Sequence, residues 1–446
     1  MNKNTKILIS VAIALGGILL AERYLHHGAN LGITEAETKA GTETDTEPKT
    51  SRWRFLDGEK GAEADRKQQI IAKIEQFWKD FKTSGPGRLK PEKVVADKET
   101  PSWMDKNLAK IDPSLEWEMG GGFQETTPLV ITRGFSETGT ELAETTVERA
   151  VPMPGWTVAA YREAREPAEL AKIYQHRCGE KLPPFSFRVM PGESNSVDLA
   201  IESPQFEGTN REEDRLTALL ILDIVLGERN LTTWVDKFTT THSEGPTAAK
   251  FNSEKTARNF ASSFNQEKAK IISKLPTMAF RLSPQLESEA LVRVKESDVP
   301  ALLKLERCRL TYVTTRPELA SNFNTDTPFF SERYTNTGEK FAYLQLFDPK
   351  DYSVEYRERL EVDLNQALLK SGTGSLVGSG RGNPASYYFD LCLSDPDKAI
   401  PVLKQFCIAQ KLPSQCWLRF YDHNWRHEWV RMLPDTPDLK HPEIEV

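Results

Sequence analysis

The last third of the chain most limits what it can fold into. Phe341 to Phe347 reads as a strand and Val354 to Lys370 as a helix. Ser375 to Gly378 and Ser386 to Ser394 read as two more strands, Asp397 to Gln410 as a second helix, and Gln415 to Tyr421 as a final strand. Strands at 289–295 and 309–315, joined by a helix near Val299 to Leu305, extend the pattern on its N-terminal side. A chain with this order can bury its apolar faces by laying both helices on one side of a single sheet.

The order β-α-β-β-α-β is that of the ferredoxin-like split βαβ unit. The preceding block also alternates. Ile70, Ile71, Ile74, Phe77, Trp78 and Phe81 recur at helical spacing, and Ser84-Gly-Pro-Gly is expected to end that helix. Strands follow at Leu115 to Met119, Pro128 to Thr132 and Trp156 to Tyr161, with helices over Glu141 to Ala150 and Pro167 to His176. Two alternating runs, Phe185 to Val189 and Val197 to Ile201, read as strands. Glu212 to Leu226 is an apolar helix, with Asn210 expected as its cap, an acidic first turn, and Gly227 as its stop. A strand is expected over Leu231 to Phe238. The fold class is therefore α+β, with two sheet-plus-helix domains, the C-terminal one ferredoxin-like.

The N-terminus sets location. Lys3 and Lys6 precede an apolar run, Ile7 to Ala21, broken only by Ser10. As a helix this run spans roughly 22 Å, short of the ~30 Å hydrocarbon core. That length suits a signal-peptide core, but Leu19-Leu20-Ala21 is a poor cleavage site. Tyr24 and Leu25 extend the apolar stretch, with Arg23 reaching back to the headgroups. An uncleaved signal anchor is favoured over a cleaved peptide. The positive flank keeps the N-terminal end in the cytoplasm and places the body outside it. Residues 28–52 have almost no large apolar groups and are expected to form a disordered tether.

The expected organisation is thus 1–27 signal anchor or signal peptide, 28–52 linker, 53–246 α+β domain, 247–276 linker and helix, 277–432 ferredoxin-like domain and 433–446 tail. The body is expected on the periplasmic side of a bacterial inner membrane, or outside the cell after cleavage. Lys and Arg total 58 against 65 Asp and Glu, a net charge of −7 that excludes a body devoted to nucleic-acid phosphates. The five cysteines show no CxxC spacing; Cys407 and Cys416 flank a helix-to-strand turn where they can pair, but most of the cysteines are expected to be small buried residues.

Phe77-Trp78-x-x-Phe81, Asp112-Pro113-x-Leu115, Pro154-Gly155-Trp156 and Leu222-Asp223-x-x-Leu226-Gly227-Glu228 resemble a family of uncharacterised bacterial proteins. Phe330-x-Glu332-Arg333, Gly338-x-x-Phe341-Ala342-Tyr343-Leu344 and Tyr388-x-Asp390-Leu391 continue the resemblance, which covers most of 65–425. The resemblance implies a fold and carries over no catalytic residue. The C-terminal sheet is also similar in architecture to small bacterial regulators and immunity proteins.

Candidate chemistry is sparse. Gly378-Ser379-Gly380-Arg381-Gly382 is followed by a strand where a phosphate loop needs a helix N-terminus, so these glycines are expected to serve a hairpin or bulge. His423 and His427 lack the zincin glutamate, and no metal or cofactor is expected. Trp417, Trp425 and Trp429, with His423, His427 and Arg381 nearby, are the candidate binding surface for a protein partner, against which simple packing of a C-terminal strap is the favoured reading of the segment. Glu116 and Glu118 share one strand face and are expected to be solvated. Asp223, inside an apolar helix, is expected to bond a backbone amide or face a packing gap. No GxSxG elbow is present. Three readings stay open: a tethered binding or regulatory protein, an envelope hydrolase with a site between the domains, and an immunity-type partner of another protein.

Overall fold

The computed structural model describes residues 53–56, 61–88, 99–119, 126–134, 139–244, 251–280, 290–293, 308–319, 328–347, 353–383 and 386–439. The N-terminal apolar run, the tether and the expected helix near Val299 to Leu305 lie outside the described residues. Among the described residues, no helix is long and apolar enough to cross a membrane. The chain forms two units that part between Lys270 and Ile271, both mixtures of helices and sheets.

In the first unit, α1 (Ala62–Arg88) and α2 (Glu99–Ile111) cover a three-stranded sheet. Its strands are β1 (Glu116–Met119), β2 (Thr127–Thr132) and β3 (Trp156–Ala159). β1 runs antiparallel to β2, and β3 runs parallel to β2 after the crossover helix α3 (Thr140–Glu148). Ile74, Phe77, Trp78 and Phe81 are buried with Met104, Leu108, Leu129 and Ile131. Trp78 Nε1 donates to the Thr146 carbonyl at 2.7 Å. Trp53 is buried too, and its Nε1 donates to Thr145 Oγ1 at 3.1 Å. α1 does not stop at Ser84-Gly-Pro-Gly but continues to Arg88. The Phe81 ring lies where a Cβ on Gly85 would be, 2.8 Å away, so this glycine closes the core instead of ending the helix.

The same unit holds a second small sheet. α4 (Leu170–Cys178) precedes β4 (Ser186–Pro191) and β5 (Val197–Ser203), which pair antiparallel. α5 (Glu212–Leu226) and the short α6 (Glu228–Trp234) then lead to β6 (Val235–His242), parallel to β5. Residues Leu231 to Trp234, expected as strand, complete α6, where Leu231 and Trp234 are buried. Asn210 does not cap α5; Arg211 holds that position. Asn210 instead has φ +57°, donates its amide N–H to the Thr240 carbonyl and accepts the Thr240 amide on its side chain. It thereby satisfies backbone groups on the outer edge of β6. α7 (Ser253–Ile272) stacks Phe260 on Phe187 with ring centroids 4.7 Å apart.

The second unit is built on one antiparallel seven-stranded sheet of order β13-β12-β9-β11-β10-β8-β7. The strands are β7 (Ala290–Arg293), β8 (Cys308–Thr314), β9 (Lys340–Phe347), β10 (Gly374–Asn383), β11 (Ser386–Leu393), β12 (Cys416–Phe420) and β13 (Trp429–Arg431). α8 (Val354–Ser371) joins β9 to β10, and α9 (Pro396–Ala409) joins β11 to β12. Ser353 caps α8 by accepting from the Tyr356 amide, and Asp395 caps α9 by accepting from Lys398. α8 packs against β10 and α9. Leu360, Leu364, Leu368, Ala399 and Leu403 are buried on the two helices. On the sheet, Phe341, Tyr343, Tyr388, Cys392 and Tyr421 share a buried cluster with Phe329 and Tyr334.

Candidate functional site

The densest polar constellation among the described residues lies inside the first unit, built around residues 162–165. Gly227, between α5 and α6, has φ +76°, and a Cβ there would sit 2.6 Å from the Ala164 nitrogen. Only glycine lets the two backbones meet so closely. The segment is zipped to the helix junction on both sides of that contact. Glu228 N donates to the Arg162 carbonyl at 2.8 Å, and Arg165 N to the Ile224 carbonyl at 2.9 Å.

This backbone docking sets the side chains. Arg162 Nε lies 3.1 Å from Asp223 Oδ2 and 3.7 Å from Glu228 Oε2. The Arg162 amide also donates to Glu228 Oε2 at 3.1 Å. Arg177, from the last turn of α4, donates to Asp223 Oδ2 at 2.7 Å and to both Glu118 oxygens at 2.9 Å. Arg165 Nη2 stands 3.7 Å from Glu118. The remaining Glu228 oxygen accepts the Thr132 hydroxyl. Asp223 is 2% exposed and Glu228 1%. Burial pushes the Glu228 carboxyl above its ordinary range, against the opposing pull of Arg162.

Three guanidinium groups thus face three carboxylates, Glu118, Asp223 and Glu228. Glu118 and Thr132 belong to the first sheet, while Asp223 and Glu228 belong to the helices of the second. The network therefore ties the two halves of the unit together. Asp223 meets guanidinium groups, not the backbone amide or packing gap expected for it. Glu118 is drawn in as well, and Glu116 is not simply solvated either: burial raises its carboxyl above the ordinary range, against the pull of Arg162. The legible signal was a lone acid in an apolar helix downstream of three arginines, because a buried charge needs a partner.

The C-terminal tryptophans follow the packing reading and not the binding-surface one. Trp417, Trp425 and Trp429 are 4%, 7% and 6% exposed, so they form no aromatic surface. Trp417 Nε1 donates to the Pro437 carbonyl at 2.9 Å. Trp425 meets Phe420 edge-on at 5.3 Å, with Lys340 Nζ 5.1 Å from its ring centre. Trp429 enters β13, which pairs with β12 and adds a strand that was not expected. His423 is buried, and its amide donates to the Phe329 carbonyl at 2.7 Å. His427 is half-buried and accepts from Arg426 Nε at 2.9 Å. Of the six candidates, Arg381 is exposed. Among the described residues, no group of three His, Cys, Asp or Glu is placed to hold a metal ion.

The glycine-rich stretch lies within β10, which is ten residues long and has a register shift between Leu376 and Gly378. A Cβ on Gly378 would lie 2.8 Å from Thr314 Oγ1. Here glycine serves a bulge and a close strand approach. Ser379 Oγ donates to Glu361, which also stands 2.9 Å from Arg357 Nε. No family model, curated protein or solved structure matches this chain.

Proposed function

We propose that this chain is a membrane-tethered, extracytoplasmic binding or regulatory protein that engages a protein partner through the helix layer of its second unit. The observation that carries the binding reading is the distribution of exposed apolar side chains. Val354, Val362 and Leu369 on α8 are 55%, 55% and 44% exposed, and Ile408 on α9 is 57% exposed. At 100° per residue the three α8 positions fall within one face of the helix. Gln410 Nε2 donates to Asp363 Oδ2 at 2.9 Å, which brings the end of α9 alongside the middle of α8. Isolated exposed apolar residues are ordinary, but their concentration on one helix layer favours a contact surface.

The tethering reading rests on Lys3, Lys6, the Ile7 to Ala21 run and the polar 28–52 stretch. The strand order β12-β9-β11-β10, with α8 and α9 as its crossovers, supports reading the second unit as ferredoxin-like. Site-specific photo-crosslinking in cells tests the binding surface. A photoreactive residue at 362, 369 or 408 should give one discrete crosslinked protein, while the same residue at exposed Arg188 should not. Equal, diffuse crosslinking from every position would contradict it.

A further inference from the structure

We propose that Cys407 and Cys416 are a disulfide-forming pair, a proposal that rests on the extracytoplasmic reading above. Cys407 lies in the last turn of α9 and Cys416 opens β12. Their Sγ atoms are 3.8 Å apart, and both residues are fully buried. The chain between them turns through Lys411 at φ +50°, and the Leu412 amide donates to the Cys407 carbonyl at 3.1 Å. This turn holds the two thiols face to face. Closing to a bond of about 2.05 Å takes a small side-chain adjustment and no change of topology.

The reaction needs a disulfide-bearing oxidant, such as oxidised glutathione. One thiolate attacks the oxidant's disulfide, giving a mixed disulfide and releasing one glutathione thiolate. The other cysteine's thiolate then attacks the protein sulfur of that mixed disulfide and expels the second glutathione thiolate. Two electrons pass to the oxidant, and the two protons from the cysteines end on the glutathione thiols. Thiolates are the attacking species, and burial opposes their formation in the folded protein. Pairing therefore belongs to folding, before α9 docks on the sheet. The product cross-links the end of α9 to the strand beside it, and an oxidising compartment retains such bonds.

The full chain is unfolded in urea with reductant and refolded with reduced and oxidised glutathione. Free thiols are then alkylated, and peptides are mapped by mass without reduction. The expected result is a 407–416 link, lighter than the dithiol by two hydrogen atoms, which is lost in Cys416→Ala and retained in Cys178→Ala. Full alkylation of Cys407 and Cys416 after refolding would overturn the proposal. A second arm traps thiols by acid in intact cells. A link formed on refolding but absent in cells would overturn the extracytoplasmic reading and leave the pair's chemistry standing. A link found in both arms supports both.

Discussion

Arg162 Nε stands 3.1 Å from Asp223 Oδ2, with both side chains almost wholly removed from water. Arg177 reaches the same carboxylate from α4. Asp223→Ala should therefore remove the carboxylate the two cations share, leaving Arg162 only Glu228 and Arg177 only Glu118, and destabilise the protein by at most about 3–5 kcal/mol. Urea unfolding followed by tryptophan fluorescence measures this. A loss below 1 kcal/mol on the ~1.4 kcal/mol-per-decade scale would mean the network contributes little.

Glu228 gives the network a pH dependence. Burial raises its folded pKa above the ordinary 4.5, so the folded protein holds this proton more tightly than the unfolded chain. Its contribution to stability is complete below the ordinary value and is lost as pH rises through the raised one. Glu228→Gln is neutral throughout and lacks that decline. Urea midpoints at pH 4 and pH 7 should show the variant gaining on the parent at the higher pH. A constant difference would show that the two states titrate alike.

Gly227 holds the junction on which the network depends. Gly227→Ala places a methyl 2.6 Å from the Ala164 nitrogen at φ +76°. Backbone strain of this kind costs about 1–3 kcal/mol, and the contact adds to it. Thermal unfolding of this variant should show a clear fall in midpoint, whereas Gly179→Ala, with open space around it, should fall less.

The architecture was more legible than the site, for a physical reason. Strands and helices follow from periodicity, and periodicity is local. The β-α-β-β-α-β order of 341–421 appears in the structure element by element because each segment's apolar spacing states which face it buries. Asp223, Glu118 and Arg177 meet across 105 residues of chain, from Glu118 to Asp223, and no local pattern encodes their meeting. The surface reading of the tryptophans fails for the same reason, while the packing reading holds. Trp417, Trp425 and Trp429 look like a patch in one dimension, but β13 folds back on β12 and takes them inside. Leu231 to Trp234 was ambiguous because a short apolar run fits either period.

The buried tryptophans carry their own test. Trp417→Ala should destabilise the protein by about 3–5 kcal/mol, as expected for removing a large buried ring. Arg381→Ala, at an exposed position of β10, should cost no more than about 1 kcal/mol, the upper range for an exposed polar or ionic contact. Comparable, small effects from both would restore a surface role to the aromatic segment.

Lys411 occupies the left-handed region after α9, at φ +50°. Lys411→Gly should stabilise the protein by about 0.5–1 kcal/mol by removing the Cβ conflict. Differential scanning calorimetry would register a higher midpoint; an unchanged or lower one would show that the turn is unstrained.

We propose that the body works outside the cytoplasm on a retained anchor. Protease treatment of intact spheroplasts, followed by mass analysis of the chain's N-terminus, tests it directly. The region from Trp53 onward should be digested from outside while Met1 to Ala21 stays with the membrane. A body protected until the membrane is lysed would contradict it and move the search for a partner into the cytoplasm.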